Sequence, residues 1–409
     1  MSEQKAGSVA LGIVFLTVFL DLVGFGIVLP LLPFYATDLG ASPFEVGLII
    51  ASYSAMQFLF APVWGALSDR YGRRPLLLLG LFGSAASYVV FGLARSLEVL
   101  LLSRVIAGIM GANIPVAQAY IADSTTLEGR ARGMGLIGAA FGLGFIFGPA
   151  IGGGLSPWGY GVPGFVAAGL SLAAATAAWF WLPESLAVEN RVRDGFGALS
   201  AVTGRARAAA QVLARKRLRE PIGVFFLGTM GFAGFTTIFP LFLENPLGLT
   251  ALYAGGMFAL VGMVSAGVQG ALIGPMVERY GEQANAAFGG VMLSAGVIAM
   301  GLAQSIVATI VSLLAVGVGW GLLAPSLQSL VSRRAMANEQ GQVLGVNQSA
   351  SALARVIGPV AAGWAYGALG PGMGFVAGGL VIAAAAAWVP FMPGRETPAP
   401  APPRRRVAE

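Results

Sequence analysis

Three ionisable side chains, Asp21, Arg104 and Arg355, stand inside long stretches of otherwise apolar sequence. Asp21 is the only one of the 18 acids that lies clearly in mid-stretch; the rest fall in loops, tails or helix ends. A carboxylate at bilayer depth costs roughly 2.5–3.5 kcal/mol on insertion scales, so such an acid is expected to face a cavity, carry a proton or neutralise an arginine. Arg104 is placed to pair with Asp21 and tune its hold on a proton, the alternative being a side chain that reaches out to the headgroups. Arg355 lies far along the chain with no acid nearby in sequence. One acid against two bases points to a ligand of anionic character, or to an arginine released when a ligand arrives. The remaining polar residues within apolar stretches include Tyr53, Gln57, Asn113, Gln118, Gln269, Gln328 and Asn347. Helix packing accounts for some of these through interhelical hydrogen bonds, and about half are expected to line a cavity.

What is missing narrows the chemistry. There is no Cys and no His, which removes disulfides, thiolate and imidazole metal sites, and Ser-His-Asp or Cys nucleophiles. Lys5 and Lys216 do not follow a Gly, so the Gly-Lys pair of a phosphate loop is absent. Gly133-Met-Gly135-Leu-Ile-Gly138 fits a dinucleotide fingerprint in letters only, because it opens an apolar helix with no strand before it. No metal, no cofactor and no enzymatic activity are expected.

The elements that position these residues are membrane helices. Of the 409 residues, 56% are hydrophobic and 10% charged, against roughly a quarter charged in soluble domains. A span needs roughly 20 mostly apolar residues. Breaks at charges and turn residues give twelve: 8–36, 43–67, 75–94, 97–122, 132–155, 162–182, 221–243, 250–276, 285–304, 307–331, 340–368 and 372–392. The first is too long for a signal peptide and lacks a cleavage site. All but three of the 24 Lys and Arg lie in the termini or in loops after even-numbered spans; the exceptions are Arg95, Arg104 and Arg355. The positive-inside rule then places both termini in the cytoplasm. It also accounts for the net charge of +6 without nucleic acid. The chain divides into a six-helix bundle over 1–183, a cytoplasmic linker over 184–220, a second bundle over 221–393 and a Pro-rich, basic tail over 394–409 that is expected to be disordered. Within the linker, Arg205 to Arg219 could form an amphipathic surface helix.

The halves repeat. Gly65-x-x-x-Asp69-Arg70-Tyr71-Gly72 recurs as Gly274-x-x-x-Glu278-Arg279-Tyr280-Gly281, Gly148-Pro149 recurs as Gly358-Pro359, and Ala112–Pro115 sits where Leu322–Pro325 sits. A common offset implies two homologous bundles with a site between them near the midplane. In the fifth span, Gly144, Gly148 and Gly152 make a smooth face for a neighbouring helix, and Pro149 frees a carbonyl and permits a kink.

Gly65-Ala66-Leu67-Ser68-Asp69-Arg70-Tyr71-Gly72-Arg73-Arg74 resembles the signature loop of the major facilitator superfamily at every defining position. Gly144-x-x-x-Gly148-Pro149-x-x-Gly152-Gly153 is similar to the antiporter motif of drug exporters. With Asp21–Pro33 and Arg104–Gly108, the likeness is strongest to tetracycline/proton antiporters and other twelve-span drug:proton antiporters. The resemblance implies an all-α membrane protein with the major facilitator fold, twelve transmembrane helices in two pseudo-symmetric bundles. It implies a monomer in a bacterial inner membrane that exports lipophilic small molecules or drugs in exchange for protons by alternating access. An exporter or flippase of an anionic metabolite or lipid-like molecule, and a non-transporting receptor on the same fold, are the alternatives. The resemblance makes Asp21 and Arg104 the proton-coupling pair. It makes the Gly65–Arg74 loop a conformational latch, with Arg73 on Asp123 and Asp69 against the start of span 11 near Asn338–Gly341, both contacts being expected to stabilise the outward-open state. This chain has Ser265, Leu293 and Ala107 where tetracycline exporters have His, Asp and Gln, so recognition of a tetracycline–magnesium complex is not implied.

Overall fold

The computed structural model describes residues 3–111, 113–125, 127–187, 189, 191, 207, 209–336 and 339–393. The tail from residue 394, Arg205, Ala112 and Asn338 therefore lie outside the described residues. The described chain is helical throughout, with no strand. In the first half the helices are α1 (Glu3–Val28), α2 (Leu31–Asp38), α3 (Pro43–Tyr71), α4 (Arg73–Gly92), α5 (Leu97–Met110), α6 (Ile114–Ser124), α7 (Leu127–Leu155) and α8 (Gly161–Trp181). In the second half they are α9 (Lys216–Glu244), α10 (Ala251–Gly267), α11 (Ile273–Gly301), α12 (Ile306–Arg334), α13 (Gln340–Leu369) and α14 (Pro371–Trp388).

Among the described residues, eleven helical stretches are long and apolar enough to cross a bilayer, one of them running 51 residues over Ala251–Gly301. At 1.5 Å per residue that is about twice a membrane thickness. It is two crossings: α10 continues through a π-helical turn at Val268–Leu272, and the chain reverses at Gly281 (φ 79°). Gly72 (φ 106°) makes the same reversal between α3 and α4. Only glycine adopts such angles cheaply, which is why both copies of the repeated motif end in Gly. The count is therefore twelve.

Two spans are broken where one continuous helix was expected. The first splits at Leu29–Pro30, where Pro30 and Pro33 withhold backbone donors. The fourth splits between Met110 and Ile114. Its counterpart α12 runs unbroken through Pro325, so the repeat does not extend to this break. The seventh span begins earlier than expected, at Lys216, because the end of the linker docks there: Val212 is buried with Leu218, Ile222, Val331 and Val343.

The two halves meet at one end of the molecule, here called the closed end. A single apolar core there draws residues from both, including Val46, Ile49, Phe239, Phe258 and Val261. Thr37 donates a hydrogen bond to Glu244 across the halves at 3.1 Å. At the opposite end, which carries the Gly72 and Gly281 turns, the cores are separate, one built from the first half and one from the second. A Cβ added at Gly135, Gly138, Gly267, Gly270, Gly341 or Gly345 would meet nothing within 4 Å. The halves stand apart at this open end.

Candidate functional site

The site is assembled by helices whose backbone is interrupted. In α6, Pro115 supplies no N–H to the carbonyl of Gly111, and Gln57 of α3 donates to that oxygen instead at 3.2 Å. Trp64, two turns along α3, donates its indole N–H to the carbonyl of Ile109 at 2.6 Å. Gln57 thus staples the α5–α6 break, and Gly108 lets the α3 backbone at Tyr53 press close.

Asp21 sits in the middle of α1 between two small pockets. One, toward the open end, is lined by Thr17, Leu77, Leu81 and Asn113; the other by Phe25, Tyr53, Ser84, Tyr88 and Gly111. Ser84 is its hydrogen-bonding neighbour. Asp21 and Arg104 do not form an ion pair among the described residues. Arg104 sits seven residues before Gly111, about 10 Å along a helix, and Tyr88 fills the space between. Its guanidinium lies 5.0 Å from the Phe91 ring and 5.9 Å from the Tyr88 ring, and donates to Ser103 at 3.2 Å. Arg104 is buried, not snorkelling. Tyr88 stands between the two charges, lining the Asp21 pocket on one side and facing the Arg104 guanidinium on the other.

Arg355 comes from the middle of α13 in the other half, one turn before Pro359, whose carbonyl meets Gly47 on the helix that carries Tyr53. Arg355 donates to Ser351 at 2.8 Å and has no acidic partner among the described residues. Its side chain is partly accessible although it sits at mid-helix depth, as expected for a group on a water-reachable cavity wall. Aromatic rings gather nearby on both sides: Phe25 lies 5.1 Å from Tyr53 and 6.1 Å from Phe145, and Phe232 stacks on Trp320 at 4.2 Å.

The other polar positions are scattered. Asn113 is buried inside the first bundle against Gly80, beside Asp21. Gln118 is half-buried on α6, Gln269 and Gln328 are exposed, and Gln269 donates to Ser265 at 3.0 Å. Asn347 is buried on α13 with its carbonyl oxygen unpaired.

At the open end, Arg73 is the hub of the repeated loop. It pairs with Asp69 at 2.6 Å and Asp123 at 3.0 Å and donates to Ser68 at 2.7 Å. Asp69 is thus engaged within its own half and, among the described residues, not against the start of α13 as the resemblance implied; Arg73–Asp123 is formed while this end is open, so that pair does not need the end to be shut. Gly65, Arg70 and Arg74 flank the hub, with Arg70 over the Tyr71 ring at 5.4 Å and Arg279 over Tyr280 at 5.3 Å in the second copy. Glu184, not singled out in the sequence, caps α4 by accepting from the backbone N–H groups of Arg73 and Arg74 at 2.9 and 3.3 Å. The corresponding pair in the second half is Arg333–Glu282 at 2.8 Å.

The glycine–proline motif has a two-sided role. Gly144, Gly148 and Gly152 press against Leu22, Gly26 and Ile27 of α1. Across the halves, Gly153 and the Pro149 carbonyl press on Gly255 of α10. The second copy repeats this: Gly358 packs on Met230 and Gly234 of α9, and the Pro359 carbonyl presses on Gly47 of α3. The closed end is therefore sealed twice, by the same contact related by the internal two-fold.

The model of the family described as "Major Facilitator Superfamily" matches residues 14–359. "Tetracycline resistance protein, class C" of Escherichia coli is 34% identical over 365 residues, covering 88% of this chain and 89% of that one. "Multidrug resistance protein 2" of Bacillus subtilis (strain 168) is 29% identical over 373 residues, covering 89% of each. Among solved structures, the human organic anion transporter MFSD10 (TETRAN) aligns with a TM-score of 0.71 at 29% identity, covering 94% of this chain and 99% of that one. Two pseudo-symmetric helical bundles joined at one end, a buried acid inside the first, and a match along most of the chain lead to one assignment: this multi-pass membrane protein belongs to the Major Facilitator Superfamily and is a transporter of small molecules, not an enzyme.

Proposed function

We propose that the protein is a proton-coupled antiporter that exports lipophilic small molecules from a bacterial cytoplasm by alternating access, working as a monomer. The observation that carries this reading is the position of Asp21, the one mid-membrane acid, at the junction of α1, α3, α4 and α6. There Tyr53 lines its pocket, six residues along α3 from Gly47, where the Pro359 carbonyl of the other half sits one turn from Arg355. A tilt of the halves changes what that carboxyl faces, and so whether it holds a proton. A gradient is sufficient drive, since each charge gains about 2.3 kcal/mol per 100 mV. With the termini and the Arg-rich loops in the cytoplasm, the open end faces inward and the closed end outward. The Arg73–Asp69–Asp123 cluster then belongs to the inward-open state, and Asp69 is free to swing to the start of α13 when that end shuts. Similarity to multidrug and tetracycline resistance proteins supports export. In inverted vesicles with a pH-sensitive dye, a panel of lipophilic drugs should dissipate the gradient in wild type and not in Asp21→Asn. Drug-linked proton flux in that variant would reject the coupling role.

A second reading concerns the cargo. Arg355 has no acidic partner among the described residues and is partly accessible at mid-helix depth, and one relative of solved structure is described as an organic anion transporter. A substrate bearing a carboxylate or sulfonate would supply the missing charge. Arg355→Ala should raise the KM for an anionic aromatic dye by roughly tenfold or more, the loss of one hydrogen bond to a charged group, and leave cationic dyes unaffected. Unchanged anion transport in that variant contradicts the reading.

A further inference from the structure

The Asn113 side chain is 5% exposed, and neither its amide nitrogen nor its oxygen meets a protein hydrogen-bond partner. A buried amide left unsatisfied costs on the order of 1–3 kcal/mol, so a sequence retains one where something other than protein satisfies it. Asn113, the residue before α6, lies against Gly80 of α4, where any side chain on residue 80 would collide with it. Together with Thr17, Leu77 and Leu81 it walls the pocket on the open side of Asp21. Thr17 is buried and spends its hydroxyl proton on the carbonyl of Val14 at 2.9 Å, which leaves its oxygen lone pairs to accept from the pocket. Donor, acceptor and carboxyl thus converge on a space of about one water molecule, which is what a buried water requires.

We propose that Asn113 and Thr17 hold a water against the Asp21 carboxyl, forming a proton-relay site inside the first bundle that is separate from the path of the transported molecule. This rests on the reading of Asp21 as the proton carrier. The relay moves no atom but hydrogen. An O–H bond of the water breaks as an O–H bond on Asp21 forms, and the water is reprotonated by a hydronium ion from the open side. The pocket on the other side of Asp21 contains Tyr53 and Phe25 and borders the wall shared with Arg355, so cargo and proton approach the same carboxyl from different faces. The titratable groups facing Asp21 are Tyr88 from α4 and Tyr53 from α3, with Arg104 of α5 and Arg355 of α13 beyond them; the lining residues of α6 include none. Asn113 is a positioning residue in this scheme, since it acts on the proton only through the water.

The test is time-resolved infrared spectroscopy of the purified full chain after a rapid fall in pH, in ordinary and in oxygen-18 water. The Asp21 carboxyl band is identified by its loss in Asp21→Asn. Wild type should show that band rising together with a bound-water band that shifts in oxygen-18 water. Asn113→Leu, which fills the pocket, should lose the water band and slow the rise by about tenfold, the kinetic equivalent of one hydrogen bond to a charged group. Asn113→Ser should restore both. Thr17→Val, which keeps shape and removes only the hydroxyl, should slow the rise to a smaller extent and serves if Asn113→Leu does not fold. Wild-type rates in Asn113→Leu or in Thr17→Val, or no oxygen-18-sensitive band in wild type, overturn the relay while leaving Asp21 as the carrier. A carboxyl band untouched by Asp21→Asn overturns both.

Discussion

At the scale of single residues, charge in an apolar run was the readable signal. Asp21, Arg104 and Arg355 stand out of the sequence because bilayer depth penalises them. Their surroundings do not, because these include Tyr88 and Tyr53, aromatic residues that look ordinary in an apolar span. The same holds for Trp64: its indole staples the α5–α6 break, yet nothing in its sequence context separates it from packing aromatics. Arg73 was legible through the loop motif, while Glu184, lying 111 residues further on, was not. The Arg73–Asp123 contact is only partly exposed and shares Asp69 and Ser68, so its members are expected to be coupled. A double-mutant cycle with Arg73→Gln and Asp123→Asn, read by thermal unfolding in detergent, should give an interaction of about 1–3 kcal/mol. Strict additivity would show that the pair contributes nothing to holding this end of the first bundle.

At the scale of elements, the repeated motifs foretold reversals at Gly72 and Gly281, and the glycine spacing of α7 foretold a close helix contact. The breaks in the first and fourth spans were hidden because apolar character continues across them. Hydrophobicity reports depth, not backbone continuity. The paired seal gives a specific expectation. Gly47 and Gly255 meet the carbonyls of Pro359 and Pro149 in equivalent ways, so a leucine at either should push the closed end apart to a similar degree. The chain has no Cys, and a single cysteine introduced at Gln57 can report this without background. Gly47→Leu and Gly255→Leu should both increase its labelling by a membrane-impermeant thiol reagent added from the closed side. An effect from one and not the other would break the symmetry argument. At the opposite end, Glu339 just before α13 accepts from Arg215 at 2.7 and 2.8 Å and from the Met336 backbone N–H at 3.2 Å. These hydrogen bonds, the Arg215 one first, hold its carboxyl below the usual range. A carboxylate lowered in the folded state contributes stability above its unfolded pKa and loses it as pH falls through the folded one. The difference in melting temperature between wild type and Glu339→Gln should therefore be present at neutral pH and vanish on acidification. A difference that persists at low pH would mean that the ion pair is not its source.

At the scale of the whole molecule, the two-fold repeat was evident from offsets of matching motifs, and so was the bundle-plus-bundle plan. Which end is shut was not, because an alternating transporter uses one sequence to close either end in turn. The answer lies in where glycines are packed across the halves: Gly47, Gly153 and Gly255 all lie at one end, while the apolar cores at the other end stay separate. In the proposed scheme Asp21 takes up or gives back its proton as the halves tilt, and its charge ties the tilt to the gradient. The decisive measurement separates movement of the halves from coupling to protons. Purified protein in liposomes is loaded with an unlabelled substrate identified by the vesicle panel, and labelled substrate is followed with and without a pH gradient. The account predicts that Asp21→Asn still exchanges labelled for unlabelled substrate when no gradient is present, but no longer accumulates substrate against its concentration when one is imposed. Gradient-driven accumulation by Asp21→Asn at the wild-type rate would contradict it.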